Sequence, residues 1–259
     1  MRVVLAVIGC VLLFALAVLA LAPSTLIDRE LASATQGRLR LVDSEGSIWR
    51  GSGNLLLPGD FRQPIAWQID KTASAAAGEL RGTLTVPAAP GQNVVTPPVR
   101  FELGAGRIDV EGLSLALPAD VVLRASGAVL PVSASGTLFV QLQRLDLADK
   151  SATVNGTADW RGASLAATGT ELRLDLGDVQ LSVTGSGTEI PGSLMNRGGD
   201  VALDGTIRWP VGRSLSGDIT LTPRAGLDPG YASGLAAALM MVGRPDGRGG
   251  YRISWAAPR

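Results

Sequence analysis

Residues 201–209 read as two short strand candidates that share Gly205, Val201-Ala202-Leu203-Asp204-Gly205 and Gly205-Thr206-Ile207-Arg208-Trp209, and shortly after comes Asp218-Ile219-Thr220-Leu221-Thr222. Apolar and polar side chains alternate in each. In an extended chain that alternation sends Val201, Leu203, Ile207 and Trp209 to one face and Asp204, Thr206 and Arg208 to the other. The same period of two recurs upstream at Ile65-Ala66-Trp67-Gln68-Ile69, Gly82-Thr83-Leu84-Thr85-Val86 and Arg107-Ile108-Asp109-Val110. It returns at Thr137-Leu138-Phe139-Val140-Gln141-Leu142, Leu172-Arg173-Leu174-Asp175-Leu176 and Gln180-Leu181-Ser182-Val183-Thr184. Gly, Pro and Asp separate these runs. Short alternating segments divided by turn formers predict an antiparallel sheet with one buried face and one wet face. Proline-rich interruptions fall at Pro87 to Pro98 and near Pro118 and Pro131, and residues 87–98 are the candidate subdomain boundary.

Two segments break the strand pattern. Residues 3–22 are apolar and carry no formal charge. Twenty helical residues reach about 30 Å, the thickness of a bilayer's hydrocarbon core. Arg2 precedes the run, while Asp28, Arg29 and Glu30 nearly cancel after it, so the positive-inside rule predicts a cytoplasmic N-terminus. The alternative is a cleaved signal peptide, since Ala20-Leu21-Ala22 has the small-x-small form, although Pro23 would sit directly after the cut. Cys10 lies too early in the run for lipidation. The second segment, residues 231–242, is uncharged and rich in helix formers, with Pro229 suited to a first helical turn and Gly243 to a C-cap. It predicts a helix packed on the sheet, with membrane-dipping or partner binding as alternatives. The expected fold is mainly β. An N-terminal transmembrane helix is followed by an antiparallel β-sheet domain, extended or curved, with one short C-terminal helix. The expected organisation is a cytoplasmic N-terminus at 1–2, a membrane span at 3–22, a juxtamembrane segment at 23–38 and a periplasmic β-rich domain at 39–259.

Composition excludes several function classes. The 23 basic and 23 acidic residues balance, which argues against a nucleic-acid partner. No histidine is present among the 259 residues, and Cys10 is the single cysteine. A histidine-based triad, a thiol nucleophile in the sheet domain and a Cys/His metal site are therefore excluded, and no cofactor is expected. Asp109 and Glu111, like Arg173 and Asp175, read as neighbours on wet strand faces. Residues 243–250 are glycine-rich but lack the Lys-Ser/Thr end of a phosphate loop.

One phrase recurs loosely. Gly46-Ser47-Ile48-Trp49-Arg50-Gly51 is echoed by Gly156-Thr157-Ala158-Asp159-Trp160-Arg161-Gly162 and more faintly by Gly205 to Pro210. Glycine permits a tight turn or a close strand approach, and tryptophan supplies a large apolar plug, either as core or as a partner-binding anchor.

The two ends of the chain together resemble type II (general) secretion system protein N. At the C-terminal end the matching residues are Leu221-Thr222-Pro223-Arg224-Ala225, the apolar helix, and Gly243-Arg244-Pro245-Asp246 through Tyr251 and Trp255. Near the start the matching phrase is Gly46 to Gly51, and Trp160 matches a middle strand. The resemblance implies a non-enzymatic accessory component of the machinery that moves folded proteins from the periplasm across the outer membrane. It further implies an inner-membrane anchor, a periplasmic domain, and contacts with inner-membrane secretion components and the outer-membrane secretin. It carries no catalytic residues. Gly46, Trp49, Gly51, Trp160, Pro223, Arg224, Gly243, Pro245, Asp246, Tyr251 and Trp255 are the candidate signature or partner-contact positions. The alternative function is a periplasmic lipid-handling or envelope-bridging protein, because a long curved sheet with one apolar face can line a groove for acyl chains.

Overall fold

A computed structural model describes residues 24–87, 97–125, 132–167 and 173–255. Fourteen strands among them form one sheet. These are β1 (Arg40–Gly46), β2 (Arg50–Leu57), β3 (Phe61–Ile69), β4 (Leu80–Thr85), β5 (Val99–Gly104), β6 (Arg107–Pro118) and β7 (Val132–Ala148). They continue as β8 (Ser151–Ala167), β9 (Arg173–Gly187), β10 (Glu189–Arg197), β11 (Val201–Pro210), β12 (Ser216–Pro223), β13 (Arg244–Pro245) and β14 (Tyr251–Trp255). Neighbours in sequence are neighbours in space up to β12. β14 then inserts between β12 and β13. Every pairing is antiparallel, as expected where tight turns join successive strands.

The register turns the sequence alternation into two chemically distinct faces. Cross-strand partners share a face. From β6 to β14 one row of partners runs Leu115, Val140, Ala158, Leu181, Leu194, Gly205, Ile219 and Ile253. One step along each strand the row is Ser114, Gln141, Thr157, Ser182, Ser193, Thr206, Asp218 and Ser254. A one-residue slip in any strand would exchange its two sets, so the pattern fixes the register.

A single-layer sheet has no second sheet on which to bury its apolar face. It solves this partly by curling. Leu55 and Phe61 of β2 and β3 pack in one cluster with Leu115 and Leu117 of β6. β2 and β6 would lie about 19 Å apart in a flat sheet. Leu142, Leu145 and Leu147 of β7 likewise share a cluster with Trp209 and Val211 at the end of β11. The apolar face is therefore the concave one. Bulges in β7 and β8 supply local bends, with Gly136 (φ +101°) and Gly162 (φ +58°) at two of them.

Four helices among the described residues cover parts of this face or its ends. α1 (Thr25–Ala34) precedes β1, α2 (Lys71–Ala77) joins β3 to β4, and α3 (Ala119–Ala125) follows β6. α4 (Pro229–Val242) lies between β12 and β13 and buries Leu235 and Leu239 against β8, β9, β11, β12 and β14. Asp228 caps α4 by accepting from the N–H groups of Gly230 and Tyr231 at 2.9 and 3.1 Å, with Pro229 following it directly.

Several expectations need correction. The structure does not support the transmembrane helix expected at residues 3–22. No helix among the described residues is long and apolar enough to cross a membrane, and residues 3–22 themselves lie outside those described. α4, with 14 residues, reaches about 21 Å at 1.5 Å per residue. The fold observed is a large antiparallel sheet with short helices. The expected single-pass inner-membrane topology, with the lipid bilayer as a partner through residues 3–22, is not supported by it. The expected juxtamembrane segment at 23–38 contains the ten-residue helix α1. The one short C-terminal helix expected is joined by three more among the described residues. Gly243 ends α4 with an extended backbone (φ −134°), not a left-handed one. A Cβ there would come within 3.1 Å of Arg252 O and Ile253 Cγ1, so close packing explains the glycine. Residues 201–209, read as two short strands, form the single strand β11, and 172–176 and 180–184 fall largely within the single strand β9. β4 and β5, on either side of 87–98, pair directly, while residues 88–96 lie outside the described set.

Candidate functional site

The signature positions occupy three places. At the β1–β2 hairpin, Gly46 has φ +93°, and a Cβ there would sit 2.5 Å from Arg50 O. Gly51 faces Trp67 across the β2–β3 ladder and lies beneath its ring. The Trp67 indole N–H donates to Ser47 O at 3.0 Å, which ties β3 back to the hairpin turn. Trp49 is half-buried, and the Lys71 ammonium stands over its ring at 5.2 Å. The sequence phrase thus encodes a stapled hairpin, and its staple, Trp67, lies outside the phrase.

In the middle of the sheet, the Trp160 indole N–H donates to Ser135 O at 2.8 Å, beside the β7 bulge. Trp67 makes the same kind of bond, indole N–H to a backbone carbonyl, but at the hairpin turn and not at a bulge. In hydrogen bonding, Trp160 therefore corresponds to Trp67 and not to Trp49, its counterpart in the loose sequence repeat.

The remaining positions gather at the C-terminal edge. Tyr251 is buried opposite Leu221 and belongs to the cluster under α4. Pro223 ends β12 opposite Val201. Arg224 donates its backbone N–H to Asp200 O at 2.9 Å and Nε–H to Val201 O at 3.3 Å. Asp246 folds its own loop by accepting from the N–H groups of Arg248 and Gly250 at 2.7 and 2.9 Å. These backbone donors hold its carboxyl below the ordinary value. Pro245 is exposed opposite Tyr251. Trp255 lies over Gly217 and remains 38% exposed.

Sequence reading missed the clasp that joins α4 to the strand ends. The Tyr231 hydroxyl is shared between Arg173 O (2.7 Å) and Asp200 Oδ2 (2.5 Å), and the same carboxylate oxygen accepts from Asp175 N–H at 2.9 Å. Burial, then the Asp200 carboxylate beside it, push the Tyr231 phenol well above its ordinary value. Nearby, the Asn196 amide reaches Leu176 O and Val201 O while accepting from Leu203 N–H. Nothing in sequence spacing linked Tyr231 to Asp200, 31 residues away.

The ion pairs lie on the polar, convex face or at exposed ends. Arg252 grips Asp218 through Nε at 2.7 Å and Nη2 at 2.5 Å, and Ser254 adds a hydroxyl at 3.1 Å. The guanidinium holds the Asp218 carboxyl below its ordinary value. Among the described residues no group of three or more acidic, Cys or His side chains is placed to hold a metal ion. The signature residues share no cleft and present no nucleophile–base pair. What the arrangement offers is a surface held by paired strands and hydrogen bonds.

The family model of type II secretion system protein N matches residues 37–254, from just before β1 to within β14. The chain belongs to the type II secretion system protein N family. No curated protein and no solved structure gives a significant match. Members of the protein N family are non-catalytic structural components, and the chain is not an enzyme. The match thus spans nearly all of the sheet described above. Its boundaries leave α1 and the preceding residues outside the family match.

Proposed function

We propose that the protein acts as an accessory, scaffold-like component of type II secretion and contacts other components of that machinery through its sheet domain. The supporting observation is the family match over the whole sheet. β13 and β14 form the far edge of the sheet and α4 packs beside them, and there Trp255 and Met240 are exposed apolar side chains. Exposed aromatic and methionine side chains are enriched where proteins bind one another.

The test is deletion of the gene followed by localisation of normally secreted proteins. The expected outcome is folded cargo held in the periplasm and released again on complementation. Trp255→Ala and Met240→Ala are then scored for secretion and for thermal stability. Reduced secretion with an unchanged melting temperature supports a contact role. Unchanged secretion on deletion overturns the proposal. Tyr251 is unsuitable for this purpose, because it is buried beneath α4 and its replacement would disturb folding first.

A further inference from the structure

At the end of the sheet that carries the β5–β6, β7–β8 and β11–β12 turns, the concave face is not filled. An apolar slot of about 290 Å³ lies there, lined by Leu181, Val183, Ile190, Ile207, Trp209 and Leu215. Trp209 also lines an adjoining open cavity of about 500 Å³, together with Val211, Ile108 and Leu147. Ile108 and Trp209 belong to strands five apart, about 24 Å in a flat sheet, so the curl itself creates this space. Beyond it, the cross-strand row Leu147, Ile108, Leu103 and Leu80 continues the apolar track over β7 to β4. Ile108, Leu103, Leu80 and Leu215 are all exposed, between 39% and 51%.

We propose that this slot and track bind one aliphatic chain of a lipid with an anionic headgroup. Three observations carry the proposal. First, the slot has an apolar lining and falls near the lower end of the volumes of small-molecule sites. It is a slot, too narrow for the roughly 800 Å² that a stable protein partner covers on each side. Second, the apolar surface runs as a line across strands and not as a round patch, which matches an extended chain. Third, the charged groups lining the wider cavity are two guanidiniums, Arg107 and Arg213, against one carboxylate, Asp149. Arg107 is held by Asp146 at 2.8 Å, whereas Arg213 has no ion pair among the described residues and is exposed on the β11–β12 loop. Arg213 is therefore the cation available to a headgroup, two residues before the slot's Leu215. The site stands on the cavity alone and does not depend on the secretion role.

The probes are a diazirine-bearing stearate and its methyl ester, photolysed with the purified full-length chain and mapped by peptide mass spectrometry. Adducts are expected on residues 181–192 and 207–215. Leu215→Glu places a carboxylate in the slot's lining and is expected to lower labelling there about tenfold. Because Leu215 is a half-exposed loop residue, the melting temperature should not change. Arg213→Glu is expected to weaken labelling by stearate but not by the ester. Adducts confined to the apolar segment 3–22 or scattered over the surface overturn the proposal, as does full labelling of Leu215→Glu. Equal labelling of Arg213→Glu by both probes overturns the anionic headgroup. Concentration-dependent dimerisation that Leu215→Glu abolishes, without adducts, assigns the slot to a second copy and also overturns it.

Discussion

Replacing Tyr231 by phenylalanine tests whether α4 is clasped or merely rests on the sheet. The phenol has one proton, shared between Asp200 Oδ2 at 2.5 Å and Arg173 O at 2.7 Å. Asp200 keeps its other contacts, because its N–H still reaches Asp175 O and its oxygen still accepts from Asp175 N–H. The loss is therefore one charge-assisted hydrogen bond, about 1.5–3 kcal/mol in general. The clasp is part-exposed, so water can replace the donor, and the lower end, about 1.5 kcal/mol, is expected. Phenylalanine preserves the ring packing beside Leu235 and Leu239, so the effect should appear as easier local opening of α4. Native-state hydrogen exchange on peptides covering residues 229–242 should quicken about tenfold, the factor that corresponds to about 1.4 kcal/mol. Exchange within about twofold of the parent, with an intact fold, would show that apolar burial alone holds the helix.

The same phenol makes a pH prediction. Its folded-state pKa lies above the ordinary 10.0, so its contribution is complete below pH 10 and is lost as pH climbs toward the folded value. Exchange in α4 should accelerate above pH 10 in the parent, and this step should be absent in Tyr231→Phe. Gly51→Val would drive a Cβ into Glu45 O and to 2.5 Å from the Trp67 ring. Overpacking of this kind costs about 1–3 kcal/mol, and a lowered urea midpoint is the expected reading. Asp28→Asn breaks the bidentate pair with Arg40 at 2.9 and 2.7 Å and should weaken the α1–β1 contact only modestly, since the Arg40 side chain is exposed and water screens the pair. The Arg40 bond holds the Asp28 carboxyl below 3.8, so its contribution is present above that pH and disappears as pH falls further. Acid titration of α1 exchange in the parent and in Asp28→Asn checks both statements.

Alternation at residues 201–209 and 218–222 was enough to identify paired strands and to say which side chains share a face. That is a local property, set by the pleat, and it needs no knowledge of neighbours. The absence of histidine and the position of Cys10 excluded the common catalytic chemistries for an equally local reason. The helix at α4 was legible from composition and its flanking Pro229. Strand length was not. Gly156, Gly177 and Gly205 look like strand ends in sequence, yet all lie inside strands of ten residues or more. A glycine there makes room for, or bends around, a neighbouring strand, which only pairing reveals. A Cβ on Gly205, for example, would stand 2.9 Å from Ile219 Cγ1.

The sequence by itself determined an amphipathic antiparallel sheet and, through its end motifs, the protein N family. Tertiary structure alone decided that the fourteen strands curl toward their apolar face. It likewise joined Tyr231 to Asp200, set Trp67 over Gly51, and left a slot open between Ile190, Trp209 and Leu215. These contacts join residues that are distant in sequence or separated by several strands. Their geometry depends on accumulated twist and bulges over the whole sheet, a sum that no single window of residues contains.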